Sequence, residues 1–254
     1  VMNMIKLGIK PLDEALGGVK EHSYILLHEE DPRSLGRELV FEFMKNKLEN
    51  DNLVGFFNIS HALPILIEIM KKRGINVDEY LDSLNLAIVD TFGSLYGPRI
   101  ERRGVWYLSG SLSYELLSRK YAEVVRAHKE LWKKENMFEG RELWGVAMDL
   151  SEYSNIFGEA NALSYFEVSA EIRRRHRAYR EYPTGTNIWV FSGKPDRVFS
   201  SLYRRVDYVV RTRSELTEEG VKRYMCILKA PGVSDVISFE YSFTRNGIEM
   251  KRTD

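Results

Sequence analysis

The chain has 254 residues, 44% hydrophobic and 29% charged, which suits one large α/β domain spanning 1–254. Its 37 Lys+Arg balance its 37 Asp+Glu, so no global field draws it towards nucleic acid or an anionic membrane. A single cysteine, Cys226, excludes an intrachain disulfide, and its apolar neighbours Tyr224, Met225, Ile227 and Leu228 make it a core residue. No apolar run reaches the roughly 18 residues needed to span a bilayer and no signal peptide is recognised, so a soluble cytoplasmic protein is expected. Glutamine is absent while Lys, Arg and Glu are plentiful, a bias that fits a thermophile.

In chain order, the apolar patterning predicts a helix over 11–17, a strand over 23–28 and a helix over 35–49. A strand over 53–59, helices over 62–73 and 77–83 and a strand over 86–91 follow. Residues 93–110, with Gly93, Gly97, Pro98, Gly104 and Gly110, read as a long loop. The rest comprises helix 111–135, strand 143–149, helix 160–181, strand 187–192, helix 197–203 and strands 206–212, 221–229 and 236–243. Alternating strands and helices argue for βαβ units and a mostly parallel sheet. The last strands have no long helices between them, which predicts an antiparallel ending.

Strand 23–28, the loop after it and helix 35–49 have the order of a phosphate-binding P-loop. That loop normally reads Gly-x-x-x-x-Gly-Lys-Ser/Thr; here the frame is Asp31-x-x-x-x-Gly36-Arg37-Glu38. One glycine survives, the lysine is arginine, and the magnesium-binding hydroxyl is a carboxylate. Glu29, Glu30 and Asp31 are expected to crowd the loop entrance. Each carboxylate about 4 Å from a phosphate oxygen would cost about 1 kcal/mol in water, and about 4 kcal/mol at an effective dielectric of about 20. Arg37 can still hold a phosphate, or pair with its neighbour Glu38.

Lys6-Leu7-Gly8-Ile9-Lys10-Pro11-Leu12-Asp13-Glu14-Ala15-Leu16-Gly17-Gly18 resembles the opening of the KaiC-like branch of the RecA superfamily. The segments 224–232 and 243–249 resemble that family's closing strands, 85–92 an internal strand, and 144–151 its Walker B strand. More narrowly, the chain resembles uncharacterised archaeal proteins derived from this branch. The fold so implied is α/β: a RecA-like, P-loop NTPase-type three-layer sandwich with a mostly parallel central sheet and antiparallel C-terminal strands.

The resemblance also implies four functional positions. The nucleotide-binding remnant would be Asp31, Ser34, Gly36 and Arg37 with Asp149, which falls at the Walker B aspartate; Asp90 ends a similar strand and competes for that role. The catalytic glutamate is missing: its segment reads Phe56-Phe57-Asn58-Ile59-Ser60-His61, where Asn58 or His61 could orient water and Ser60 suits a helix N-cap. The lysine of a trans-acting Lys-x-Arg is kept as Lys229, and its arginine is lost. Catalysis by positioned charge needs these parts together, so no catalytic residue is assigned and no ATPase activity is expected.

Arg173, Arg174, Arg175, His176, Arg177 and Arg180 form the densest basic run, with Tyr179 and Tyr182 nearby. It is a candidate nucleic-acid patch, or a solvated helix face paired with Glu167, Glu171 and Glu181; the balanced charge favours the latter. The five histidines have no tight ligand spacing; His28 beside Glu29 and Asp31 could attract a metal, but no closed four-ligand set accompanies it. The resulting expectation is a pseudo-ATPase without cofactor that binds a protein or peptide, or a second copy of itself. The alternatives are weak binding of Mg-ATP or ADP, and nucleic-acid binding.

Overall fold

The computed structural model describes residues 3–254. Its first half runs β1 (Met4–Ile5), α1 (Lys10–Leu16), β2 (Val19–Lys20), β3 (Tyr24–Glu29), α2 (Gly36–Glu49), β4 (Leu53–Asn58), α3 (Leu63–Lys72), α4 (Val77–Asp82), β5 (Leu86–Asp90), α5 (Thr91–Tyr96) and β6 (Val105–Trp106). The second half runs α6 (Leu117–Lys134), β7 (Leu143–Met148), α7 (Glu152–Phe157), α8 (Glu159–Arg175), α9 (Arg177–Arg180), β8 (Thr186–Ser192), α10 (Arg197–Arg205), β9 (Tyr208–Thr217), β10 (Gly220–Lys229), β11 (Ile237–Thr244) and β12 (Gly247–Arg252).

Ten strands form one sheet in the order β12-β11-β10-β9-β3-β8-β7-β4-β5-β6. From β9 across to β6 the pairs are parallel, and β9 to β12 make an antiparallel meander. The central strands are buried on both faces, so they carry continuous apolar runs rather than an alternation. On β7, Trp144, Val146 and Met148 face one core together with Leu39, Phe43 and Met44 of α2 and Leu66 and Met70 of α3. Ala147 faces the other core, with Tyr121 of α6, Tyr165 and Phe166 of α8 and Leu202 of α10. Helices therefore cover both sheet faces, giving the three layers expected.

The opening motif has a local cause. The Asp13 carboxylate accepts the N–H groups of Leu7 (2.7 Å) and Gly8 (2.9 Å), tying the chain to the start of α1. Gly17 ends that helix in the left-handed region at φ 69°, and a Cβ on Gly18 would lie 2.6 Å from the Ile5 carbonyl oxygen.

Four element expectations are revised. Residues 93–110 are not all loop: Asp90 accepts the Gly93 N–H and caps α5, and Val105–Trp106 pairs beside β5. The helix expected from 111 begins at Leu117. Short α7 and the edge strand β12 fall outside the predicted elements. Ser60 does not cap the helix after β4: its hydroxyl is buried without a partner, and Ala62 stands at the N-cap with no side-chain bond.

Candidate functional site

Parallel pairing brings the C-terminal ends of β3, β8, β7, β4 and β5 into one row. Register sets Glu29 beside Ser192 and Asn58 beside both Met148 and Asp90. Asp149 follows Met148 through a cis peptide bond. This edge is where open α/β sheets form their ligand crevice.

The loop between β3 and α2 is closed on itself. Asp31 turns away from the crevice: its carboxylate accepts the Ser34 N–H (3.1 Å), the Ser214 N–H (2.8 Å) and the Ser214 hydroxyl (2.6 Å). Burial pushes the Asp31 carboxyl up, but the bonds from Ser214 and Ser34 together outweigh it and hold the group below its ordinary value. Ser34 is fully buried and its hydroxyl donates to the Asp31 carbonyl at 2.7 Å, lying 2.9 Å from the Thr212 hydroxyl. Tyr241 donates to the Ser34 carbonyl at 2.5 Å. The N–H groups of Ser34 and Leu35 go to the Asp31 and Pro32 carbonyls. Donors that would wrap a phosphate in a P-loop are thus occupied by the chain itself. Gly36 remains necessary for a different reason: a Cβ there would meet Thr212 Oγ1 at 2.4 Å and Glu29 Cβ at 3.2 Å.

Glu29 is the one of the three acidic loop residues that faces the crevice. Glu30 is exposed. Glu29 is 5% exposed and accepts the Arg37 N–H at 2.8 Å, so a carboxylate occupies the anion position at the start of α2. Burial, against the opposing Arg37 contacts, holds its pKa above the ordinary value. The Arg37 guanidinium does not pair with Glu38, which takes Arg73 instead. It reaches across the crevice: Nη2 donates to Asp149 Oδ2 at 2.9 Å and Ser192 Oγ at 3.1 Å, and Nε lies 3.7 Å from Glu29 Oε1. Asp149 is fully buried, and its other oxygen accepts the Ser151 N–H (2.9 Å), the Ser151 hydroxyl (2.7 Å) and the Ser192 N–H (3.2 Å). His61 Nε2 is 3.5 Å from Arg37 Nη1, and burial, followed by the Arg37 charge, lowers its pKa. Ser192 and Ser151 were not singled out in the sequence; their only signal is position, one ending the strand beside β3 and the other lying two residues beyond Asp149.

Asn58 bridges the next strands, donating to Asp90 (3.0 Å) and the His61 carbonyl (2.7 Å). The Arg37 guanidinium bonds to Asp149, whereas Asp90 accepts the Gly93 N–H and caps α5. Burial raises its pKa, and one of its oxygens is buried without a partner.

Over the Glu29–Arg37–Asp149 set lies a cleft of about 580 Å3. Glu29, Glu38, Glu152 and Asp196 line it against only Arg37 and Lys194, so its walls are acidic on balance.

The remaining singled-out residues lie elsewhere. Lys229 donates to the Tyr203 (3.0 Å) and Arg204 (3.4 Å) carbonyls and caps the C-terminus of α10. Arg174 and Arg175 pair with Glu171, Arg177 with Glu181, and His176 with Glu123. Arg173 stacks over Tyr24 and Trp189 at 5.4 and 5.3 Å. The basic run is thus partly paired helix surface, with Arg174 and Arg175 sharing the single Glu171, and partly aromatic packing at Arg173. His28 Nε2 donates to the Gly193 carbonyl at 2.7 Å. Among the described residues no group of three or more His, Cys, Asp or Glu could hold a metal, and no helix is long and apolar enough to cross a membrane.

No protein-family model and no curated protein matches the chain. Solved structures do, among them two from Pyrococcus horikoshii. The KaiC-like protein PH0186 from the hyperthermophilic archaeon Pyrococcus horikoshii OT3 superposes with a TM-score of 0.70 at 18% identity, over 99% of this chain and 100% of that one, which fixes the fold. The uncharacterized protein PH0321 from Pyrococcus horikoshii, crystallised in complex with an unknown peptide, superposes with a TM-score of 0.93 at 46% identity, over 98% of this chain and 100% of that one. At that identity and coverage the chain belongs to the PH0321 family, an archaeal family with the KaiC-like RecA fold.

Proposed function

We propose that this protein is a pseudo-ATPase whose crevice takes a peptide segment in place of a nucleotide. The observation that carries this reading is the Glu29–Arg37–Asp149 set. A carboxylate already occupies the helix N-terminus where a phosphate would sit, and the residue in the lysine position neutralises the residue in the magnesium position. A nucleotide would have to displace both contacts and face the buried Glu29 charge. The acid excess of the cleft suits a Lys- or Arg-bearing peptide, and the relative crystallised with an unknown peptide supports a peptide ligand in this family.

The test has two arms. Calorimetric titration with ATP and ADP, with and without magnesium, is expected to give no heat at millimolar nucleotide; micromolar binding would refute the pseudo-ATPase reading. Fluorescence anisotropy with a labelled Lys/Arg-rich nonapeptide is expected to show salt-sensitive binding that Glu152→Gln with Asp196→Asn weakens. An acidic peptide of equal length binding as well would refute the peptide assignment.

A further inference from the structure

Helices α6, α8 and α9 do not seal the sheet face they cover. A cavity of about 250 Å3 remains between them and strands β3, β4, β7 and β8. Two glycines, Gly55 on β4 and Gly145 on β7, pair across its floor; the Asn187 side chain covers Gly145, its Oδ1 2.3 Å from where a Cβ would stand, so the floor is open at Gly55. A Cβ built on Gly55 would meet nothing nearer than Trp132 at 4.0 Å. The walls are aromatic, formed by Tyr121, Tyr165, Tyr179 and Trp189. His22 and Thr184 line the cavity just before β3 and β8 begin, so it reaches the strands' N-terminal edge, away from the Arg37 crevice.

The charge in this cavity is one-sided. Lys129 is 4% exposed, and its ammonium donates to the Ala178 carbonyl at 3.1 Å and lies 5.0 Å from the Tyr179 ring centroid. An ammonium carries three donors, so Lys129 has donors to spare. Arg173 is a second lining cation, donating to Ser169 at 2.8 Å. No aspartate or glutamate lines the cavity, although buried cations are ordinarily paired. Burial lowers Lys129 to about 8. His128 lines the same wall, is 4% exposed, and has no partner for Nδ1. Burial, with Lys129 beside it, lowers His128 to about 3, so it stays neutral. An apolar cavity of about 150 Å3 holds benzene; this larger one has room for a single ring with a short charged arm.

We propose that this cavity binds a small aromatic carboxylate, with its ring among the tyrosines and Trp189 and its carboxylate on Lys129. The site is independent of the crevice above Arg37. A free acid and the terminus of a chain ending in phenylalanine present the same ring and carboxylate, so both serve as probes.

The full chain is titrated by calorimetry with 3-phenylpropionate, with its uncharged amide, and with N-acetylglycylphenylalanine; tryptophan emission is followed because Trp132 and Trp189 line the cavity. The free acid, the capped dipeptide or both are expected to bind, which identifies the source, with 3-phenylpropionamide at least about tenfold weaker than its acid. Lys129→Met keeps the aliphatic stem and removes the charge, and is expected to weaken the acid by at least about tenfold. Gly55→Val fills the floor and is expected to abolish binding; if it fails to fold, Lys129→Met carries the test. The proposal is overturned if neither probe binds at about 10 mM, if the amide binds as well as the acid, or if folded Gly55→Val binds unchanged.

Discussion

Arg37→Met removes the guanidinium lying between Glu29 and Asp149, which are 5% and 0% exposed. Removing one partner of a buried ion pair costs about 3–5 kcal/mol, because the other charge is left unpaired. The lower end applies here. Asp149 retains its bonds from Ser151 and Ser192, Glu29 retains the Arg37 backbone N–H, and the Arg37 side chain was already 26% exposed. We expect a loss of about 3 kcal/mol, measured by urea unfolding at pH 7 as a lower midpoint at constant m. Asp149→Asn leaves the guanidinium on Glu29 and Ser192 with access to water, and should cost about 1–2 kcal/mol. The double variant should lose less than the sum, with a coupling of about 1–3 kcal/mol. Acid supplies an internal check. Burial already raises the Glu29 pKa, and losing Arg37 raises it further. A carboxyl with a raised folded-state pKa favours folding below its unfolded value and loses that advantage as pH rises through the folded one. The deficit of Arg37→Met should therefore shrink on going from pH 7 towards pH 4.5. A deficit under about 1 kcal/mol, strict additivity in the double variant, or a deficit that grows in acid would refute this account of the crevice.

Burial at His128 should appear as acid sensitivity. Its pKa falls from 6.5 to about 3 on folding, so the unfolded chain takes up the proton first and stability is lost as pH falls below 6.5. The loss between pH 7 and pH 5 should be about 2 kcal/mol at about 1.36 kcal/mol per pH unit, and a His128→Phe variant should flatten that part of the urea-midpoint profile. Gly36→Ala should cost about 1–3 kcal/mol by overpacking, because its Cβ would meet Thr212 Oγ1 at 2.4 Å; an unchanged melting midpoint would show that Thr212 moves freely. Lys229→Met should cost about 0.5–1 kcal/mol through the lost cap on α10, with the oligomeric state unchanged in light scattering; a change of mass without loss of stability would mean that Lys229 acts between copies.

The fold was legible because its signals are local and repeated. Apolar runs at 23–28, 53–59, 86–91, 143–149 and 187–192 match β3, β4, β5, β7 and β8 within a residue or two at each end, since strands buried on both faces leave no other pattern. What failed to show was short or depended on distant partners. Helix α5 begins with Thr91-Phe92-Gly93, a poor helix-former set, and exists because the Asp90 side chain accepts the Gly93 N–H. The site was half legible. The frame located Arg37 and Asp149, but nothing local says that a guanidinium will span residues 112 apart in sequence. Likewise the run Glu29-Glu30-Asp31 reads as three equal charges, yet burial, exposure and two bonds from Ser214 send them in three directions.

On the pseudo-ATPase reading proposed above, the architecture of a phosphate site is kept without its ligand. A helix N-terminus with free N–H groups and a positive dipole end needs an anion or water, and the buried Asp149 needs a cation. In a nucleotide-binding relative of this fold, phosphate and magnesium would meet those needs; here Glu29 stands for the first and the Arg37 guanidinium for the second. Both substitutes are covalently part of the chain, so no binding equilibrium is needed to keep the strand–loop–helix arrangement in place. On that same pseudo-ATPase reading, this is how the strand edge keeps its geometry while three of the four positions that the resemblance implies have changed. It also gives the crevice a fixed shape and a fixed charge at its base, where a nucleotide site changes both with each ligand. On the peptide reading proposed above, that constancy suits recognition of a partner, with Glu152 as the rim carboxylate open to it, since Asp196 is held by the Phe199 N–H and the Ser154 hydroxyl at the start of α10.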